Sequence, residues 1–132
     1  MGASDERDSG TVGGAPEAAV VDEVDEVTRP KEGFLFCAAC SHVIGHVEDR
    51  IEVNGSFLHT CTNPYGYVHH FGCHREAHGC DISGGHHAAD SWFHGYSWRL
   101  ASCGNCSTHL GWLFEKSGEH FYGLILDRIQ VG

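Results

Sequence analysis

The chain reads CGNCSTHLGWLF from Cys103 to Phe114, and this stretch decides the fold. Its Cys-x-x-Cys pair follows a strand-like run, and a second pair, CAAC from Cys37 to Cys40, follows another. Two such knuckles supply four thiolates, which suit Zn²⁺ because this ion accepts a tetrahedral set of sulfur ligands. We therefore predict one structural zinc ion with these ligands: Cys37, Cys40, Cys103 and Cys106.

The alternative for these cysteines is disulfide bonding. No secretory signal indicates an oxidising compartment, and the seven cysteines of the chain would leave one thiol over. Four thiolates close the coordination sphere, so a structural ion is expected rather than a catalytic one. Because roughly 60 residues separate Cys40 from Cys103, the ion would pin the first strand of the domain to a strand near its end.

Short apolar runs separated by glycine fill the chain around the knuckles, and glycine makes up 18 of the 132 residues. This pattern favours turns between strands, and Asn54-Gly55 is a typical hairpin dipeptide. Only Cys73 to His78 and Leu124 to Val131 look helix-like. The sequence thus predicts a mostly β, antiparallel domain with strands over residues 34–37, 50–53, 56–60, 67–71, 98–102, 110–115 and 120–126.

Residues 1–33 differ from the rest of the chain in composition. They contain no aromatic residue and carry nine acids against three bases. Such a segment cannot bury enough apolar surface to offset the entropy lost on ordering. We predict a disordered acidic tail over residues 1–33 and one folded domain over residues 34–132.

The charge of the whole chain excludes some classes of partner. With 8 basic and 18 acidic residues the net charge is −10, which argues against a general phosphate-backbone binder. No run approaches the ~18 apolar residues of a membrane span, and the N-terminus lacks the features of a signal peptide. We expect a cytoplasmic protein, also nuclear if the source is eukaryotic, with neither nucleic acid nor membrane as partner.

A second group of metal-type residues lies in HHFGCHREAHGC, from His69 to Cys80. It could form another metal patch, but no set of four ligands in it has a familiar spacing. A polar loop with one or two buried thiols is the simpler interpretation. His86 and His87 follow in a glycine-rich run and are expected in an exposed loop.

All three tryptophans, Trp92, Trp98 and Trp112, lie within 21 positions around the second knuckle. On a strand, Trp112 and Phe114 share a face. A turn at Gly95 would bring Trp92 back over Trp98, so that the rings wall an aromatic box. A buried tryptophan is more often an ordinary core residue, and spacing alone leaves both interpretations open.

Taken together, these motifs resemble the thalidomide-binding (CULT) domain family of cereblon. The resemblance covers about Phe34 to Ile129 and rests on four motifs, NPYGYVH from Asn63, SWFxGYxW from Ser91, CxxCxxHxGWxF from Cys103 and FYGL from Phe121. It implies a β-tent fold, in which two antiparallel sheets are pinned by a structural Cys₄ zinc site. It also implies a cage for glutarimide or succinimide rings, as in thalidomide-type drugs and C-terminal cyclic-imide degrons.

The resemblance assigns nine ligand-binding residues: Asn63, Pro64, His69, Asp90, Ser91, Trp92, Trp98, Trp112 and Phe114. The tryptophans would form the cage, Phe114 its base, and Asn63, Pro64 and His69 its rim. The backbones at Asp90 and Trp92 would meet the imide, with Ser91 held between them. The family often has histidine or an aromatic residue at Asp90, and a carboxylate there would favour a cation, so a methylammonium ligand held by cation–π attraction stays open.

The leading functional prediction is a non-catalytic, monomeric binding module whose partner is a small cyclic imide or a modified protein C-terminus. Animal and plant cereblons also carry a Lon-like domain and a helical segment that docks a ubiquitin-ligase adaptor; 33 residues cannot supply either, which counts against a ligase role.

One rival function is an enzyme, since methionine-sulfoxide reductases share the β-tent fold and Cys61, Cys73 and Cys80 are thiols outside the knuckles. Another is a scaffold whose acidic tail is the contact surface.

Overall fold

The computed structural model describes residues 30–88 and 91–132. The predicted acidic tail lies almost entirely outside these residues, and so does Asp90. Residues Glu32–Gly132 form one compact unit. Within the described parts of the chain, no helix is long and apolar enough to cross a membrane.

Strands make up most of the described chain. In chain order they are β1 (Phe34–Cys37), β2 (Val43–His46), β3 (Leu58–Thr62), β4 (Val68–His74), β5 (Cys80–His87), β6 (Ser97–Cys103), β7 (His109–Lys116), β8 (Glu119–Ile125) and β9 (Ile129–Val131). Two short 3₁₀ turns cover Val47–Asp49 and Leu126–Arg128. The prediction of a mostly β domain is confirmed.

The strands form two sheets in which every pair is antiparallel. The smaller sheet has the order β2-β1-β9, and the larger has the order β3-β4-β8-β7-β6-β5. The chain passes from the larger sheet to the smaller one through the Leu126–Arg128 turn, which joins β8 to β9. The predicted pair of antiparallel sheets is thereby confirmed.

Two apolar clusters stabilise this arrangement. The first lies where the sheets meet, since it combines Leu35 and Ile44 of the smaller sheet with Leu110 and Leu124 of the larger one. The second is largely aromatic and belongs to the larger sheet and the loop before β6. Its members are Phe71, Cys73, Phe93, Trp112, Phe114, Phe121 and Ile125. Each buried aromatic side chain removes a large apolar area from water, and the paired rings add directional contacts.

Several local predictions differ from the structure. Residues 50–53 form no strand, because Arg50 and Val53 make only isolated bridges to His74 and Ser56. Asn54 and Gly55 do form the predicted tight turn, with φ of 53° and 87°. The helix-like interpretations are wrong: Cys73 and Leu124 lie inside β4 and β8, and a 3₁₀ turn and β9 follow β8.

Three strands were missed, and each has a reason. β2 is four residues long and contains Gly45, so it carries little apolar pattern. β5 consists largely of glycine, histidine and serine, has mostly exposed side chains, and owes its extended form to pairing with β6. β9 has three residues at the end of the chain and pairs only with β1. Backbone pairing to a partner strand, rather than local apolar pattern, specifies these three elements, and for β9 that partner is distant in sequence.

Candidate metal centre and ligand cavity

Four cysteines meet in one cluster at the junction of the two sheets. Cys37 ends β1 and Cys103 ends β6, and each is followed by a turn that carries the second cysteine of its pair. The Sγ atoms of Cys37 and Cys106 are 3.7 Å apart, and those of Cys40 and Cys103 are 3.6 Å apart. All four Sγ atoms lie within 4.8 Å of one another. The four side chains are thus positioned to hold a metal ion.

The two cysteine pairs adopt the same local geometry. The N–H of Ser41 donates to the Cys37 carbonyl at 2.8 Å, and the N–H of Ser107 donates to the Cys103 carbonyl at 2.9 Å. Both serines have a φ of 67°, in the left-handed region, so each turn reverses within one residue of its second cysteine. This tight reversal brings both thiols of each pair to the same side.

Hydrogen bonds to sulfur prepare this cluster for thiolates. The Asn105 N–H lies 3.4 Å from Cys103 Sγ, and the Asn105 side-chain amide donates to Cys40 Sγ at 3.3 Å. The latter bond is the main cause of the lowered pKa of Cys40. The Thr108 hydroxyl lies 3.1 Å from Cys106 Sγ and is the first cause that lowers the pKa of Cys106 to about 6. Donors aimed at sulfur favour the charged form that binds metal, although at Cys103 burial outweighs them and raises the pKa to about 11.

The remaining thiols are separate from this cluster. Burial raises the pKa of Cys61, and it raises the pKa of both Cys73 and Cys80 to about 12. The suggested second metal patch between His69 and Cys80 is not assembled, since residues 30–88 and 91–132 contain no other group of three convergent ligands. His86 and His87 are exposed as expected but lie on β5 rather than in a loop.

A cavity of about 640 Å³ opens on the larger sheet. Its described lining residues come from the loop before β4, the loop before β6, strands β4, β6 and β7, and the turn after β8. They are Asn63, Pro64, Tyr65, Tyr67, His69, Trp92, Trp98, Leu100, His109, Trp112, Phe114 and Arg128. The volume lies in the range of small-molecule sites, which is roughly 300–1,000 Å³.

Strand register explains why the aromatic residues converge. Trp98 on β6 lies opposite Phe114 on β7, and Leu100 lies opposite Trp112. Because side chains alternate along a strand, all four share one face of the sheet. Phe114 and Trp112 are 1% and 7% exposed, so they form the floor, whereas Trp92 and Trp98 are only partly buried.

The ring contacts define the shape of the cage. Trp92 and Trp112 meet edge to face, with centroids 4.9 Å apart and planes at 82°. His69 approaches Trp112 at 5.1 Å. Phe71 stacks behind Trp92 at 5.6 Å, and His87 covers Trp98 at 4.6 Å. Edge-to-face and stacked rings restrict one another's rotation, so the walls are held in place before any ligand arrives.

The loop from Thr62 to Val68 forms one rim of the cavity, and Asn63 holds it in shape. The Asn63 Oδ1 atom accepts from the N–H groups of Tyr65 and Tyr67, both at 3.0 Å. The Gly66 N–H donates to the Asn63 carbonyl at 2.9 Å, and Gly66 has a φ of 90°. The asparagine thus fixes the turn through a short side-chain oxygen, as Asn and Asp do in Asx turns.

The loop before β6 forms the opposite wall. The Trp92 indole N–H donates to the Thr62 carbonyl at 3.1 Å, which ties the two loops together. The Ser91 hydroxyl donates to the Phe93 carbonyl and accepts from the Phe93 N–H, so it stabilises a local turn. Ser91 is not among the lining residues of this cavity, and Asp90 lies outside the described residues. Seven of the nine predicted ligand residues therefore line one cavity.

The electrostatic character of the cavity comes from two histidines and one arginine. Burial lowers the pKa of His69, and the neighbouring Arg128 guanidinium lowers it further. Burial also lowers the pKa of His109, although a hydrogen bond from its Nε2 to the Gly111 carbonyl at 2.8 Å opposes the shift. Both imidazoles are therefore neutral at pH 7, and Arg128 carries the charge.

Sequence reasoning missed five of the lining residues: Tyr65, Tyr67, Leu100, His109 and Arg128. The period of two along β6 would have found Leu100 two residues after Trp98, and the two tyrosines belong to the quoted NPYGYVH motif. Neither strand periodicity nor a quoted motif points to Arg128. Only the turn after β8 brings it to the cavity.

Comparisons with known proteins bear on this arrangement. No protein-family model matches the chain. Cereblon of Drosophila erecta is 28% identical over 113 residues, which cover 80% of this chain and 19% of that protein. Cereblon of Danio rerio is 39% identical over 67 residues, which cover 47% of this chain and 16% of that protein. Cereblon of Xenopus tropicalis is 34% identical over 73 residues, which cover 52% of this chain and 16% of that protein.

The chain therefore matches less than a fifth of the length of these relatives. The similarity nevertheless extends over half or more of this chain in two of the three cases. It agrees with the family resemblance, whose four motifs supply two of the clustered cysteines, Cys103 and Cys106, and most of the described cavity wall. The chain contains a cereblon-like domain.

Proposed function

We propose that the tryptophan-lined cavity binds a flat, neutral cyclic imide, either a glutarimide or succinimide ring of a small molecule or such a ring at the C-terminus of a modified protein. One observation carries the proposal: Trp92, Trp98 and Trp112 line a single cavity floored by Phe114. The resemblance to the thalidomide-binding domain family, and the similarity to cereblons, support the same ligand class.

The chemistry of an imide suits these walls. The ring offers apolar faces to the indoles and one polar edge with an N–H between two carbonyls. A buried edge of this kind needs partners, since each unsatisfied polar group costs roughly 1–3 kcal/mol. The Trp92 indole N–H is already bound to the Thr62 carbonyl, so it is not free to serve the ligand. We assign the imide edge to the backbone around residues 90–92, as the resemblance implies.

The mouth of the cavity favours a ligand that continues beyond the ring. Tyr65 is 87% exposed and Tyr67 is 68% exposed, and both line the opening. Exposed tyrosines offer a broad apolar contact and a hydroxyl, and they are typical of surfaces that hold a peptide or a larger substituent. This feature fits an imide attached to a protein chain as well as a free small molecule.

We infer that the ion at the cysteine cluster is Zn²⁺ and that it is structural. A tetrahedral ion with Zn–S bonds of about 2.3 Å places its sulfurs about 3.8 Å apart, close to the 3.6 and 3.7 Å separations in the cluster. The ligand set Cys37, Cys40, Cys103 and Cys106 leaves no position for a substrate. The ion would hold the two sheets together and take no direct part in ligand binding.

Two alternative functions receive less support. A sulfoxide reductase needs a thiolate, and burial raises the pKa of Cys61, Cys73 and Cys80 instead of lowering it. A methylammonium reader needs a cage without a nearby cation, and Arg128 lines this cavity. A neutral ring ligand and a non-catalytic role agree better with both observations.

A fluorescence titration tests the proposal. We expect 3-aminoglutarimide carrying a neutral acetyl group to change the intrinsic tryptophan fluorescence of the zinc-loaded protein in a saturable way. Trp98→Ala should abolish the change, because it removes one cage wall. His94→Ala, an exposed position in the same loop, should leave it intact. A folded, zinc-loaded wild type that gives no saturable change, also by calorimetry, would refute imide binding.

A further inference from the structure

Arg128 occupies a fixed position at the edge of the cavity. It ends the 3₁₀ turn between β8 and β9. Its carbonyl accepts from the Ala38 N–H at 3.0 Å, which ties its backbone to the first cysteine turn. Its Nη1 atom donates to the His109 carbonyl at 2.8 Å, at the start of β7. Because the backbone of Arg128 and one guanidinium nitrogen are both anchored, its side chain lies in a defined place and loses little further freedom when it binds a ligand.

Within residues 30–88 and 91–132, no carboxylate balances the charge of this guanidinium. No Asp or Glu is present among the described lining residues, and Arg128 forms no ion pair with a carboxylate of residues 30–88 or 91–132. The two imidazoles beside it are neutral at pH 7, because burial and Arg128 itself lower the pKa of His69 and of His109. Among the described lining residues, Arg128 thus carries the one formal charge, in a chain whose net charge is −10.

An imide ring does not supply the anionic partner that the Arg128 guanidinium would bind. The ring is neutral, and its polar edge is already assigned to the loop before β6. The His109 carbonyl engages only the Nη1 atom, so among the described residues the Nε–Nη2 edge of Arg128 has no partner. Two parallel N–H donors of this kind match the two oxygens of a carboxylate.

On the basis of the proposed function, we propose that the natural ligand is an acidic one, a cyclic imide whose substituent carries a carboxylate that pairs with Arg128. In a protein ligand this would be an acidic side chain close to a C-terminal imide. Arg128 would then be a specificity-determining residue. It would select among imide-bearing molecules, while the tryptophans bind the ring common to all of them.

Matched pairs of ligands test this inference. The probes are 3-aminoglutarimides acylated with malonic, succinic or glutaric acid, each compared with its terminal carboxamide, which has the same length and no charge. Calorimetry at low salt measures both members of each pair. Charge-assisted hydrogen bonds are stronger than neutral ones, so we expect at least one carboxylate to bind about tenfold more tightly than its carboxamide.

Three variants locate the effect. Arg128→Gln should remove the preference, so that each carboxylate binds this variant no more tightly than its own carboxamide. Arg128→Lys, which keeps the charge without the two parallel donors, should give an intermediate preference. The control is Arg99→Gln, since Arg99 lies on the opposite face of β6 from Trp98, and it should retain the full preference. Zinc content and melting temperature verify that each variant is folded.

The possible failures are distinguishable. If all pairs bind the wild type with equal affinity, the acidic-ligand inference is wrong and imide binding stands. A preference that persists in Arg128→Gln would overturn the role of Arg128. If no glutarimide binds the folded protein, the proposed function and the inference that rests on it both fail.

Discussion

Among the histidines, His74 has the most unusual environment. It is 1% exposed, its Nδ1 atom hydrogen-bonds to the Gly72 carbonyl at 3.1 Å, and its Nε2 atom has no hydrogen-bond partner in the part of the chain that the structure describes. Burial lowers the pKa of His74 to about 4, with a further decrease from Arg50 and opposing increases from Gly72 and Asp49. The folded protein therefore holds this imidazole neutral where an unfolded chain would protonate it, at an ordinary pKa of about 6.5.

This difference predicts a pH dependence of stability. Between pH 6.5 and about 4 the unfolded chain binds a proton at His74 that the folded chain does not, so the free energy of unfolding falls as pH is lowered. The expected loss from this residue is about 2 kcal/mol between pH 7.5 and pH 5. Urea unfolding of the zinc-loaded protein at several pH values measures it. The His74→Gln variant should show a smaller loss than the wild type.

The control for this prediction is His94→Gln, because His94 is exposed. Any release of metal in acid affects all three proteins alike, so the difference between their slopes isolates His74. Parallel loss of stability in the wild type and His74→Gln would contradict the lowered pKa.

At the residue scale, motif residues were predictable and remote ones were not. Trp92, Trp98 and Trp112 lie close together in sequence, and their convergence follows from one hairpin and one loop. Arg128 reaches the same cavity only because β8 pairs with β7 and ends beside it. Ser91 illustrates the opposite case: its hydroxyl is used within its own turn, a geometry that a motif does not reveal.

The central strands β7 and β8 depend on the absence of a side chain at Gly111. A Cβ atom there would meet the carbonyl oxygen of Gly123 on β8. Gly123 is restricted too, since a Cβ atom there would lie 2.7 Å from the Phe71 ring. Neither glycine has a positive φ, so close approach rather than backbone conformation explains both. Near this point β7 contributes Trp112 and Phe114 to the aromatic cluster, and β8 contributes Phe121 and Ile125.

Gly111→Ala should therefore destabilise the domain by roughly 1–3 kcal/mol, the usual cost of overpacking. It should also weaken glutarimide binding, because Trp112 is the next residue. Gly85→Ala is the matched control, since a Cβ atom there meets nothing within 4 Å, and its effect should be within about 0.5 kcal/mol. Chemical unfolding and fluorescence titration measure the two effects. Equal stability of the two variants would show that β7 and β8 can separate without cost.

At the scale of elements, the strands that could be predicted from the sequence were those with a clear apolar pattern. The strand at Phe34–Cys37 was predicted with its observed ends, and β6, β7 and β8 were each predicted to within one residue, because Leu, Phe and Trp side chains alternate or cluster along them. β5 lacks such a pattern and exists because β6 offers it a pairing edge. Residues 50–53 have the pattern but make only isolated bridges.

The whole molecule depends on how the two sheets are joined. Leu35 and Ile44 of the smaller sheet pack on Leu110 and Leu124 of the larger one, and domains of about 100 residues have little apolar core to spare. The cysteine cluster adds a second joint, since one of its pairs follows β1 and the other follows β6. A metal ion bound there closes a long loop of chain and contributes its binding energy to folding.

The free energy of zinc binding, compared with the stability of a domain, predicts the effect of removing the metal. Structural zinc contributes apparent free energies of about 10–16 kcal/mol in small domains, whereas the total stability of a domain is about 5–15 kcal/mol. A strong chelator should therefore unfold the domain and abolish glutarimide binding, although no cysteine lines the cavity. Circular dichroism and elemental analysis measure the loss of structure and of one zinc per chain.

Two variants connect this effect to the cluster. Cys40→Ser removes one ligand and should lower both zinc content and melting temperature, whereas Cys61→Ser, outside the cluster, should retain one zinc. Restored zinc should return both the fold and the binding of the chelated wild type. A metal-free protein that melts at the same temperature and still binds glutarimide would mean that the apolar contact between the sheets is sufficient to position the cavity.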